Sequence, residues 1–324
     1  MFVECVVLLV GFVCLIKGAD CFVDGSAALA AIFKVPGLII GLTVVALGTS
    51  VPELAVSVSA ALQGSNEIAV SNVVGSNIFN LLVVLGSCAL LHAVPVENTI
   101  IKRDFSVAIG STVFVLLATS AATLFGGSLF SASMMAEAGV VGRLTAVILI
   151  VCFLIYIVGL VISARKHPTE ETKEEVLPLW KCLLLIAAGL VLVVIGGKAV
   201  VYGARKIAAG LGMSETLIGL TIVAVGTSLP ELVTSIAAAR KQETGLAVGN
   251  AIGSNIFNLM FILGVSAVIH PVTVNMASVF DMLILIAVTV ITMIFAMRGK
   301  SLNRGEGIIM MLLYVAYVAF AIVR

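Results

Sequence analysis

The 324 residues are 61% hydrophobic and only 11% charged, with a formal net charge of +1 and a mean hydropathy of +1.25. A soluble domain needs roughly 25% charged residues to cover its surface, so that class is excluded. The near-neutral balance gives no reason to expect nucleic acid as a partner.

Apolar runs of about 20 residues, long enough to cross about 30 Å of hydrocarbon, recur along the whole chain. They predict an all-α polytopic membrane protein of ten spans, centred near residues 10, 46, 82, 114, 152, 190, 226, 262, 288 and 314. The first run, from Met1 to Ile16, lacks the basic start and small-residue cleavage site of a signal peptide and reads as a retained helix. Pro52 and Pro230 interrupt the second and seventh spans. The one markedly polar linker, Arg165 to Pro178, parts the chain into a first five-helix unit (1–165), a linker (166–178) and a second unit (179–324). Cys5, Cys14, Cys21, Cys88, Cys152 and Cys182 lack CxxC spacing and read as small apolar fillers, with no metal or disulfide role.

Basic residues set a direction. With the N-terminus outside, Arg143, Lys198, Arg205, Lys206 and Arg324 fall on the outer side, and the other thirteen of the eighteen Lys and Arg fall inside. The positive-inside rule therefore predicts a multi-pass protein of the cell's inner membrane with both termini outside and a cytoplasmic linker.

The strongest internal feature is a repeat. Residues 41–86 align without a gap to residues 219–264, with 26 of 46 positions identical at a constant offset of 178. Five spans separate equivalent points, so the two copies cross the membrane in opposite directions, the inverted repeat that places a transporter's substrate site at the midplane. The identities concentrate on Gly, Thr, Ser, Pro, Glu and Asn, whereas packing alone would preserve only apolar character.

Each copy carries the segment ALGTSVPE or AVGTSLPE, ending in Glu53 and Glu231. A carboxylate in the bilayer centre costs a few kcal/mol and needs an offsetting partner. Within either copy no Lys or Arg stands near, which leaves a bound cation. Thr49 and Ser50 add hydroxyls one turn before Glu53, and Thr227 and Ser228 do so before Glu231. Each proline withholds a donor from a carbonyl four residues earlier, at Gly48 and Gly226, so a freed backbone oxygen is expected there. In the following helices, GSNIFN recurs at 75–80 and 253–258. Ser76 and Asn80 share a helix face, as do Ser254 and Asn258, and read as further ligands. Asn77 and Asn255, one residue off that face, read as interhelical hydrogen-bonding residues. Glu4, Asp20, Asp24 and Asp281 fall near span ends, where a solvated carboxylate costs little. His92 and His270, at helix ends before Pro95 and Pro271, read as interfacial. The donor set is all oxygen, suited to Ca²⁺ or Na⁺ rather than zinc or copper.

The paired GTSxPE and GSNIFN motifs resemble the alpha repeats of the cation/Ca²⁺ exchanger superfamily, in its bacterial and archaeal sodium/calcium branch. That resemblance covers the spans, the loop lengths and both repeats. It implies a ten-helix antiporter exchanging Ca²⁺ for Na⁺ by alternating access, with no cofactor, no enzymatic activity and no obligate protein partner. It places the main carboxylates at Glu53 and Glu231, the outer ligands at the Thr49, Ser50, Thr227 and Ser228 hydroxyls and the Ala46 and Ala224 carbonyls, and Ser76, Asn80, Ser254 and Asn258 beside them. Well-studied members have aspartate where this chain has Asn258. The charge of the site is then two, which puts a three-sodium cycle in question and keeps exchange against H⁺, or of another divalent cation, open. A cation channel and an intramembrane acid hydrolase are the rival classes; the inverted repeat speaks for an exchanger over a channel.

Overall fold

The computed structural model describes residues 2–64, 66–125, 133–166, 177–211 and 224–324. In chain order its helices are α1 (Phe2–Phe33), α2 (Gly37–Thr49), α3 (Val51–Leu62), α4 (Ile68–Leu91), α5 (Ile100–Phe125) and α6 (Arg143–Arg165). The second half has α7 (Leu179–Gly210), α8 (Leu229–Arg240), α9 (Thr244–Ile269), α10 (Met276–Gly299) and α11 (Arg304–Val323). Eight of these are singly long and apolar enough to cross a membrane, and α2 with α3 makes a ninth span bent by 48°. The seventh expected span is represented by a short turn, Ala224–Gly226, followed by α8; residues 212–223 lie outside the described residues, as does most of the 166–178 linker. Helices dominate because hydrocarbon offers the backbone no partner, so each span must satisfy its own N–H and C=O groups.

Burial sorts the spans into a core and a rim. In the most apolar stretches of α4 and α9, 83% and 78% of residues are buried, against 11% in α11. The two GSNIFN helices therefore sit at the centre, and the outer helices face lipid.

The helices α1 and α7 pack along their length through matched glycines. Gly11, Gly18 and Gly25 recur every seven residues, and their equivalents at the repeat offset are Gly189, Gly196 and Gly203. A Cβ on Gly189 would stand 2.5 Å from the Phe22 backbone N, so only glycine allows this backbone-to-backbone approach.

Two short antiparallel ribbons link the halves reciprocally. β1 (Val94–Pro95) pairs with β4 (Ser301–Leu302), and β2 (Glu137–Val141) pairs with β3 (Val272–Asn275). In each, the loop between the third and fourth spans of one half meets the loop between the fourth and fifth spans of the other.

One expectation from the sequence is corrected. Asp281 is not a solvated end residue: it is 5% exposed within α10, and both its oxygens accept from the Arg324 guanidinium at 2.6 Å. In the first half, Asp104 on α5 is fully buried and accepts from Arg103 at 2.7 Å and from Tyr156 of α6 at 2.9 Å. Each acid joins the fourth span of its half to the fifth, with its charge paired, as burial demands. His92 and His270 are exposed at helix ends, as expected.

Candidate ion site

The repeated motif breaks each broken span one residue before a new helix. Ser50 has φ −84° and ψ 11°, and Ser228 has φ −91° and ψ 5°, so both copies leave the helix at the same residue in the same way. The interruptions read from the sequence at the prolines are present, with the kink two residues earlier. Pro52 and Pro230 occupy the first turn of α3 and α8, where an N–H has no intrahelical partner to lose and the fixed φ favours a helix start. The break itself lies at the serine.

Glu53 and Glu231 follow in those first turns and are both fully buried. Each is tied to the opposite copy. Ser50 Oγ donates to Glu231 Oε1 at 2.7 Å, and Ser228 Oγ donates to Glu53 Oε1 at 3.0 Å. Ser76 Oγ lies 3.5 Å from Glu53 Oε1, at the limit of a hydrogen bond. The second oxygens, Glu53 Oε2 and Glu231 Oε2, are buried with no protein partner.

The GSNIFN helices supply the rest. Asn77 Nδ2 donates to the Asn255 carbonyl at 3.0 Å, and Asn255 Nδ2 returns a bond to the Asn77 carbonyl at 3.1 Å. A residue bonded to its own repeat equivalent lies on the axis relating the copies, so this pair marks a two-fold axis between α4 and α9. The interhelical role read for both from the sequence is what the structure has. Asn80 and Asn258 fall in widened π-helical turns, Asn80–Val84 and Phe257–Ile262, a deformation frequent at functional sites. The two amides are not equivalent. Asn258 Nδ2 donates to Asn77 Oδ1 at 3.1 Å, which leaves its Oδ1 unpartnered, whereas both amide atoms of Asn80 are unpartnered.

Thr49 donates to Asn250 Oδ1 at 2.9 Å, while the Thr227 hydroxyl has no partner, nor has the buried Ser254 hydroxyl. The Ala46 carbonyl accepts from the Ser50 N–H at 3.1 Å and stands 3.5 Å from Thr49 Oγ1. Ala224 opens the short turn before the second break.

Four residues passed over in the sequence hold this frame. Asn72 Nδ2 donates to the Glu53 carbonyl at 3.3 Å and to Ser57 Oγ at 3.0 Å. Asn250 Nδ2 donates to the Glu231 carbonyl at 3.2 Å and to Ser235 Oγ at 2.9 Å. All four are identical across the repeat, and that identity at polar positions was the signal.

An unpartnered buried polar atom costs about 1–3 kcal/mol. Six such oxygens on Glu53, Glu231, Asn80, Asn258, Ser254 and Thr227 make a large deficit around the two motifs, one that a dehydrated hard cation offsets. Among the described residues no third acid joins the two glutamates, and no cluster of three His, Cys, Asp or Glu occurs.

Comparison with known proteins agrees with this architecture. The family model described as sodium/calcium exchanger protein matches residues 3–162 and 181–323. The chain is 33% identical over 347 residues to a sodium/calcium exchanger, MaX1, of Methanosarcina acetivorans, covering 98% of this chain and 97% of that one. It is 32% identical over 328 residues to the inner membrane protein YrbG of Escherichia coli, at 98% and 97% coverage. A solved structure of the sodium-calcium exchanger NCX_Mj, soaked with Na⁺ and Sr²⁺, superimposes with a TM-score of 0.82 at 30% identity and covers 98% of both chains. With the serine of each repeated motif bonded to the glutamate of the other and a family match along nearly its whole length, this chain belongs to the sodium/calcium exchanger protein family.

Proposed function

We propose that the chain is a Na⁺/Ca²⁺ antiporter of the cell's inner membrane, carrying its cation between Glu53 and Glu231. The observation that carries this reading is the pair of buried carboxylates, each with one oxygen tied to the opposite copy and one left without a partner. Thr49, Ser50, Thr227, Ser228, Ser76, Ser254, Asn80 and Asn258, with the Ala46 and Ala224 carbonyls, make up the surrounding oxygen set. Residues 1–165 and 179–324 act as the two inverted units, joined by a cytoplasmic linker at 166–178, with both termini outside. Ca²⁺ and Na⁺ are substrates, and the reading calls for no cofactor, no covalent step and no protein partner.

Alternating access needs a two-fold molecule that is open at one end at a time. Helix α8 packs on α1, where Lys241 Nζ donates to the Asp20 carbonyl at 3.0 Å and to Asp24 at 2.7 Å. The equivalent pair, α3 and α7, is instead separated by a cavity of about 700 Å³ that reaches Thr227 and Pro230.

Exchange of Ca²⁺ against H⁺ is the second reading, favoured by the presence of two rather than three acids around the site. The test is ⁴⁵Ca uptake into proteoliposomes with sodium and pH gradients imposed separately. Uptake driven by outward sodium supports the first reading; uptake driven by pH alone supports the second. Flux that needs no counter-ion would overturn both.

A further inference from the structure

The cavity between α3 and α7 has features that a passage for cations does not need. Its walls are largely aliphatic, with Val51, Ala55 and Val56 on α3 facing Val194 and Val201 on α7. Among the described residues, its charged lining ones are Lys198 and Arg205, both basic. At the repeat offset, Asp20 stands in place of Lys198 and Ala27 in place of Arg205. The charges of Lys198 and Arg205 are therefore not shared by their repeat equivalents, while Lys241 at the other end stands in place of Gln63.

Depth places those charges at a membrane boundary. Lys198 lies 17 residues beyond Lys181 on α7, about 26 Å at 1.5 Å per residue, close to the edge of a hydrocarbon layer of about 30 Å. Arg205 stands about 10 Å further out, at headgroup level. The groove also opens toward lipid: Val51, Ile68 and Ile195 beside it are 43%, 52% and 56% exposed. Its volume of about 700 Å³ falls within the range of about 300–1,000 Å³ that holds small ligands.

We infer that this groove binds an anionic phospholipid, with an acyl chain between α3 and α7 and the phosphate against Lys198 and Arg205. The aliphatic walls take the chain, and the two cations, joined by Gln63 at the same mouth, take the phosphate through charge-assisted hydrogen bonds. The inference does not depend on which ions are exchanged.

The experiment is native mass spectrometry of the purified full chain with phosphatidylglycerol and phosphatidylcholine of identical acyl chains. Wild type is expected to retain phosphatidylglycerol preferentially. Lys198→Gln with Arg205→Gln should reduce that preference about thirtyfold, given the usual contribution of each basic residue near anionic headgroups. Ala55→Trp, which fills the groove and leaves both basic residues in place, should lower retention of either lipid. Millimolar inorganic phosphate should displace neither. Equal retention of the two lipids by folded wild type would overturn the inference. So would phosphatidylglycerol binding unchanged in Ala55→Trp, which places the lipid on the outer basic surface, or displacement by free phosphate, which makes the site an anion site.

Discussion

Ser50 donates its hydroxyl to Glu231 at 2.7 Å, from the break in one copy of the repeat to the acid of the other. Its equivalent, Ser228, does the same for Glu53 at 3.0 Å. Each serine thus ends a helix in its own half and orients a carboxylate in the opposite half, coupling the shape of one break to the charge of the other. A hydrogen bond to a charged group contributes about 1.5–3 kcal/mol. Ser50→Ala and Ser228→Ala should therefore each raise the Ca²⁺ concentration for half-maximal exchange by about tenfold or more, and by similar factors. Titration of ⁴⁵Ca uptake checks this, and an unchanged value in both variants would remove the serines from the site.

The glutamates should be indispensable to transport but not to folding. Glu53→Gln and Glu231→Gln keep the shape and remove the charge that offsets dehydration of a divalent ion. Each should abolish Ca²⁺ exchange while the size-exclusion profile and melting temperature hold or rise, because a neutral amide is cheaper to bury than a carboxylate. Wild-type uptake in either variant would defeat the central assignment.

The two equivalent threonines should separate by assay. Thr49 is committed to Asn250 at 2.9 Å, whereas the buried Thr227 hydroxyl has no such amide partner. Thr227→Ala should shift the sodium concentration for half-maximal Ca²⁺ efflux and leave stability nearly unchanged, because a monovalent ion relies more on neutral dipoles. Thr49→Ala should cost about 1–3 kcal/mol of stability, since it strands a buried amide oxygen. Sodium titration and thermal melting, run on both variants, read the two effects independently.

Charge counting at Asn258 makes a prediction with a sign. Two carboxylates balance one Ca²⁺ or two monovalent ions, so exchange by wild type should move little net charge. Asn258→Asp adds a third acid, but it also replaces the Nδ2 donor to Asn77 Oδ1 with an oxygen. Two facing oxygens repel, so the new acid should take up a proton or a third cation. Ca²⁺/Na⁺ exchange with the voltage set by potassium and valinomycin should be nearly voltage-independent in wild type. It should become voltage-dependent in the variant if the third charge is carried across. Strong voltage dependence in wild type would refute the two-charge count.

Stability should depend on the glycine seam between α1 and α7. Gly189→Ala puts a Cβ 2.5 Å from the Phe22 N and 2.8 Å from the Gly18 O, and backbone cannot yield as a side chain does. Overpacking of this kind costs about 1–3 kcal/mol. Gly159→Ala, where a Cβ would meet nothing within 4 Å, is the control. Melting temperatures in one detergent compare the two, and equal values would show that α1 and α7 are free to part.

Much of this protein is settled by local sequence. Hydrocarbon length and apolar runs dictate helices, because a lipid-exposed backbone has no other solution. The 178-residue offset identifies Glu53 and Glu231 as counterparts, and reading that offset as five spans predicts copies of opposite direction. The same offset carried the glycine seam and the Asn72 and Asn250 braces, unread because glycine and asparagine each have ordinary packing roles in membrane helices. What the chain alone could not decide is which copy serves which. Only the tertiary structure shows that Ser50 belongs to Glu231, that Asn77 meets Asn255 on the axis, and that Asn258 is oriented while Asn80 is not. Asp281 shows the same limit: its place near a span end suggested solvent, and only packing brought Arg324 to it. A spacing fixes the face of one helix, but the partner across a two-fold interface is chosen by how separate helices pack, and no local pattern encodes that.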